Sequence, residues 1–138
     1  MTEHNISTKY LGDMAFDAEI EKHHVRMDAG IANGGKDTGS SPKRLMLAAL
    51  AGCTGVDVVS ILDKMKVTYS DLQIDVKATL TEDHPKIYDH VTLLYQVRIA
   101  PEDQVKMEKA VKLSKEKYCG VSKMFSSFAQ VDTVIHYL

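Results

Sequence analysis

Two cysteines, three prolines and no tryptophan stand in the 138 residues, and each shortage excludes something. Cys53 and Cys119 alone cannot make a dense disulfide framework or a four-cysteine zinc site. The six histidines show no metal-ligand spacing, so a histidine metal site is not expected. No Gly-rich phosphate loop lies between a strand and a helix. Charge of one sign is also missing: Lys+Arg 17 against Asp+Glu 19 leave a net charge of -2. A clustered basic surface for nucleic acid is therefore not expected. The strongest apolar run, Leu45 to Cys53, falls short of the roughly 20 residues of a membrane span. Residues Met1 to Ser7 carry neither a basic leader nor an apolar core, so no signal peptide is expected. The expected setting is the cytoplasm, with no membrane partner. In a reducing compartment two cysteines read as free, catalytic or redox-cycling rather than structural.

The length fits a single domain, 1–138, and a chain of this size buries about two-thirds of its unfolded surface without needing a staple. Apolar residues alternate at Met14, Phe16, Ala18 and Ile20, which predicts a strand, with a second over His24 to Asp28. Gly30 to Ser41 holds four glycines among Asn, Asp and Ser and reads as a mobile loop, either a plain connector or the border of a site. Ser41-Pro42 is a helix start, because serine can cap free amides and proline is pre-set for the first helical position. The helix predicted from Pro42 to about Met65 is apolar on nearly every side as far as Cys53. Such a helix must be covered all round. One small domain covers one face with a sheet, and the other face then needs a second helix or a second subunit.

Strict alternation at Leu72, Ile74, Val76, Ala78 and Leu80, and again at Val91, Leu93, Tyr95, Val97 and Ile99, predicts a long-armed hairpin. Pro101-Glu102-Asp103 opens a helix that runs to about Lys117, with Val105, Met107, Ala110, Val111 and Ser114 on its less polar side. A short helix over Cys119 to Phe128 and a strand through Val131, Thr133, Ile135 and Tyr137 close the chain. The class is α+β with a mostly antiparallel sheet and a long buried central helix.

The chemistry-bearing residues are Cys53 and Cys119. Cys53 lies in Ala49-Leu50-Ala51-Gly52-Cys53-Thr54-Gly55, whose small neighbours admit another backbone or a small ligand. A small buried hydrophobe accounts for it as readily as a reactive thiol does. Gly52 and Gly55 each cost a helix about 1 kcal/mol relative to alanine, so close packing or a site must require them. Cys119 falls at a junction between helices, where the positive end of a helix dipole favours ionisation. The two are too far apart in sequence for a redox CxxC motif, and spacing alone does not pair them. Asp57 shares the helix face of Cys53; its charge would raise a thiol pKa, and a solvated or salt-bridged role fits it equally.

The run Ser41-Pro42, Leu45, Leu47-Ala48-Ala49-Leu50-Ala51-Gly52-Cys53, Asp57-Val58-Val59-Ser60-Ile61-Leu62 resembles the central-helix motif of the OsmC/Ohr family. Lys117-Tyr118-Cys119-Gly120-Val121-Ser122 resembles its second cysteine motif, and the wording of both is nearest the YhfA-like branch. The resemblance covers nearly the whole chain. It implies an intertwined homodimer with the long helices at its centre. It also implies a thiol-dependent peroxidase that reduces organic hydroperoxides in oxidative stress defence. In that reading Cys53 matches the peroxidatic cysteine and Cys119 the resolving one, an external dithiol resets the pair, and no cofactor is needed. Three positions depart from the best-studied members. Lys43 stands where they carry a glutamate, the stretch around Gly12-Asp13-Met14 lacks their arginine, and Gly120 replaces a proline. Those departures motivate the alternative of a non-catalytic, redox-sensing or small-molecule-binding protein with an apolar pocket at the dimer interface.

Overall fold

A computed structural model describes all residues, Met1–Leu138. The chain forms two compact units, Met1–Leu47 and Ala48–Leu138.

The first unit is a three-stranded antiparallel meander of β1 (Ser7–Gly12), β2 (Ala15–Ile20) and β3 (His23–Met27). Its β1–β2 turn uses positive φ at Gly12 and Asp13, and the β2–β3 turn uses it at Glu21. Ala15 and Ala18 of β2 are its buried apolar residues. The Gly-rich loop expected to be mobile is instead tied down. The buried Asp28 carboxylate accepts from the Thr38 amide at 3.0 Å and the Thr38 hydroxyl at 2.6 Å. Those bonds hold the Asp28 carboxyl below its ordinary pKa. Gly35 cannot be anything else, because a Cβ there would lie 1.9 Å from the Ala29 carbonyl oxygen.

Helix α1 (Pro42–Lys64) begins in this unit and continues through the second. The second unit adds β4 (Tyr69–Leu80), β5 (Tyr88–Ile99), α2 (Gln104–Leu113), a π-helical turn (Ser114–Tyr118), α3 (Gly120–Ser126) and β6 (Gln130–Tyr137). The sheet order is β4-β5-β6, with β4 antiparallel and β6 parallel to β5. The parallel pair follows from connectivity, since only a crossover of helical length returns the chain to run alongside β5 in the same direction. Central β5 supplies the core: Val91, Leu93, Tyr95 and Val97 are buried beside Leu50, Val58 and Leu62 of α1, Met107, Ala110 and Val111 of α2, and Phe125 of α3.

Two differences from the sequence reading have local causes. The helix expected to reach Lys117 loses its α pitch at Ser114, where one extra residue per turn is accommodated before Cys119. Val105, placed on the inner side, is 70% exposed because the buried stripe of α2 runs through Met107, Ala110 and Val111 instead. Helix α1 also buries less than its composition demands. Only the i, i+4 stripe Leu50, Thr54, Val58 and Leu62 is covered within the chain. By length and composition alone α1 is apolar enough to cross a membrane, a property that core helices share.

Candidate functional site

Cys53 is carried on α1 between Gly52 and Thr54 and is half-buried. Cys119 is buried, at 3% exposure, and sits as the N-cap of α3, where its sulfur accepts the Ser122 amide at 3.3 Å. The fold brings the two candidate residues near each other, close enough for Cys53 to act on the Cys119 thiol. Burial, the largest cause, and the neighbouring Cys53 push the Cys119 thiol up to about 11. Negative charge on Cys53 and Asp57 adds to that rise, and the Ser122 amide opposes it. Cys119 therefore holds its proton at neutral pH.

Against the pair lies a buried polar chain that the sequence reading missed. Thr54 Oγ1 is 2.6 Å from the Tyr95 hydroxyl and 2.8 Å from Ser114 Oγ. Ser114 Oγ in turn donates to Asp57 Oδ2 at 3.0 Å. The direction of every bond follows from Asp57, because a carboxylate only accepts. Ser114 spends its one proton on Asp57, so it accepts from Thr54, which accepts from Tyr95. Burial, against the opposing Thr54 hydrogen bond and with help from the Asp57 charge, raises the Tyr95 pKa, which keeps that hydroxyl a donor. A signal for this chain was present in the sequence: Thr54 is the one polar member of the buried stripe of α1, and a buried hydroxyl needs a partner.

The other candidates lie elsewhere. Arg44 reaches Ser41 Oγ at 3.5 Å. His24 pairs with Asp17 and His90 with Asp132, each at 2.7 Å. No three His, Cys, Asp or Glu side chains gather in a ligand set.

Two cavities border α1 in the second unit. One of about 310 Å³ has Asp57 and Tyr118, the neighbour of Cys119, in its wall. The other is a groove of about 720 Å³ along the outer side of α1, lined by Gly52, Gly55, Val56, Val59, Ser60, Asp63 and Lys64. Gly55 is explained within the chain, since a Cβ there would meet Ile74 Cδ1 at 3.2 Å. Gly52 is not, for nothing lies within 4 Å of its Cβ position.

A family model described as OsmC-like protein matches residues 34–134. Protein YhfA of Escherichia coli K12 is 32% identical over 109 residues, which cover 79% of this chain and 78% of YhfA. Among solved structures, a hypothetical protein from Aquifex aeolicus VF5 superposes with a TM-score of 0.81 at 26% identity, over 100% of this chain and 99% of that one. An organic hydroperoxide resistance protein OsmC from Legionella pneumophila gives a TM-score of 0.72 at 16% identity over 98% of both chains, a likeness of fold alone.

Proposed function

From the premise that the chain belongs to the OsmC family, we propose that it is a thiol-dependent peroxidase that reduces organic hydroperoxides through Cys53 and Cys119. The observation that carries the proposal is the nearness of two free cysteines, one half-buried and one buried and protonated. A Legionella organic hydroperoxide resistance protein built on the same fold supports the substrate class.

The Cys53 thiolate attacks the terminal peroxide oxygen; the O–O bond breaks, and the departing alkoxide takes a proton to leave as alcohol. Cys53 is left as a sulfenic acid. The Cys119 thiolate then attacks the Cys53 sulfur, the S–O bond breaks, and hydroxide leaves as water after taking a proton. An external dithiol reduces the disulfide by exchange, and the reading takes a reducing compartment, the cytoplasm, as the setting that supplies it. The working unit of the proposal is a homodimer, supported by the uncovered apolar faces of α1 and by Gly52.

Purified protein is expected to consume tert-butyl hydroperoxide and oxidise dithiothreitol in equal amounts. Consumption no faster than in protein-free buffer overturns the reading. The raised Cys119 thiol adds a second expectation. In a single turnover without dithiol, closure of the disulfide is expected to speed up as pH rises from 7 to 9, because burial, which persists when Cys53 is oxidised, keeps the attacking Cys119 mostly protonated and its thiolate fraction grows with pH. A flat profile, followed by mass of the sulfenic and disulfide forms, removes Cys119 as the attacking group.

A redox-sensing or ligand-binding role without turnover is favoured by one observation, the burial that holds Cys119 protonated and slows its attack. It predicts oxidation of Cys53 once per chain and no sustained consumption.

A further inference from the structure

The redox pair is held by two separate pieces of chain, and the hydrogen-bonded chain of hydroxyls joins them. Cys53 and Thr54 are adjacent on α1. Ser114 opens the π-helical turn, and its backbone oxygen accepts the Cys119 amide at 2.8 Å. Ser114 therefore has one hand on each side: its carbonyl fixes the backbone of Cys119, and its hydroxyl fixes the turn to Thr54 and Asp57 of α1. Thr54 and Ser114 are 1% and 0% exposed, so water cannot substitute for the bonds between them. Tyr95, from β5, anchors the far end.

A π turn immediately before the second cysteine is costly to place, since π geometry is rare and concentrated where function demands it. Here it swings Cys119 out of the α2 helix into the extended conformation at φ -77, ψ 103, where its sulfur caps α3 and meets Cys53. The Ser114 hydroxyl bonds tie that turn directly to α1.

We propose that Thr54 and Ser114, with Asp57 as the terminal acceptor and Tyr95 as the terminal donor, are positioning residues of the Cys53/Cys119 couple, and that their bonds keep the two sulfurs within closing distance. The proposal rests on that couple being redox-active, though not on hydroperoxide being its substrate. The step it governs is closure: two S–H bonds are lost, one S–S bond forms, and both protons and both electrons pass to an oxidised dithiol, which becomes the free dithiol.

The test equilibrates the full chain with mixtures of oxidised and reduced dithiothreitol, and reads both the closure rate and the reduction potential of the pair. Thr54→Val removes the hydroxyl with little change of shape, and Ser114→Ala removes the central link. Each is expected to lower the closing equilibrium about tenfold, which for a two-electron couple raises the potential by about 30 mV. Thr54→Ser keeps the hydroxyl and is expected to restore the wild-type potential even where loss of its methyl lowers the melting temperature. That split separates positioning from general support. Potentials of Thr54→Val and Ser114→Ala equal to wild type overturn the inference. So does a Thr54→Ser potential that follows Thr54→Val. A wild-type chain that closes its disulfide in dithiothreitol but ignores hydroperoxide sinks the peroxidase reading and leaves this one standing; a wild-type chain that never closes the disulfide sinks both. Where either removal variant fails to fold, the other, with Thr54→Ser as its control, carries the comparison.

Discussion

Cys53→Ser is expected to lose hydroperoxide turnover by on the order of a thousandfold or more, whereas Cys119→Ser keeps the first oxidising equivalent and loses only the steady cycle. The asymmetry comes from the two environments. Cys119 is 3% exposed and pushed up to about 11, so its sulfur is shielded from the peroxide and attacks the neighbouring Cys53 only through its small thiolate fraction. Cys53 is the more accessible of the two, half-buried on α1. Serine at position 53 replaces a polarisable thiol by a hydroxyl whose anion is not formed at neutral pH. Serine at position 119 leaves Cys53 free to be oxidised, but the sulfenic acid then waits for an external thiol. A dimedone adduct should accumulate on Cys53 in Cys119→Ser, and none should form in Cys53→Ser. The reverse pattern, an adduct on Cys119 in Cys53→Ser, would exchange the two roles and sink the assignment.

The bounds of α1 were legible because Ser41-Pro42 is a strong local signal and the helical pattern, apolar to Cys53 and amphipathic after it, continues without a proline to Lys64. The hairpin arms were legible because their alternation is strict and one face is buried. Strand β1 was not, since its first five residues, Ser7–Leu11, are exposed and carry no period of burial. The meeting of Cys53 with Cys119 could not be read from residues either: it depends on where a π turn interrupts a helix, and Ser114-Lys115-Glu116-Lys117-Tyr118 reads as ordinary helix. Asp57 shows the same limit from the other side. On spacing it was a charge on the helix face of Cys53, and only tertiary packing makes it the acceptor for Ser114. Lys43, the stretch around Gly12-Asp13-Met14 and Gly120 depart from the family's pattern in the sequence. The structure answers one of these departures: Gly120 opens α3 directly after the capping Cys119, and a Cβ there would meet nothing within 4 Å.

Val56→Glu is expected to convert the proposed dimer to a monomer, raising its dissociation constant by about a thousandfold or more. Val56 is 71% exposed on a helix whose only buried stripe lies on another side. It shares a face with Gly52 and Ser60 at four-residue spacing, along the groove that borders α1. A two-fold interface through this face places the new carboxylate in it twice, and burying an unpaired carboxylate costs several kcal/mol each time. Gly52 makes the test two-sided. Nothing within the chain touches its Cβ position, so in an isolated chain Gly52→Ala should stabilise the helix by about 1 kcal/mol through propensity alone. With a second copy of α1 packed there, the added methyl meets a partner backbone and weakens association instead. Sedimentation equilibrium across micromolar concentrations reads the association, and thermal unfolding reads the helix. A wild-type chain that sediments as a monomer, or a Gly52→Ala variant that gains stability with unchanged association, removes α1 from the interface. The exposed apolar side of the helix then has to be covered by something other than its own copy.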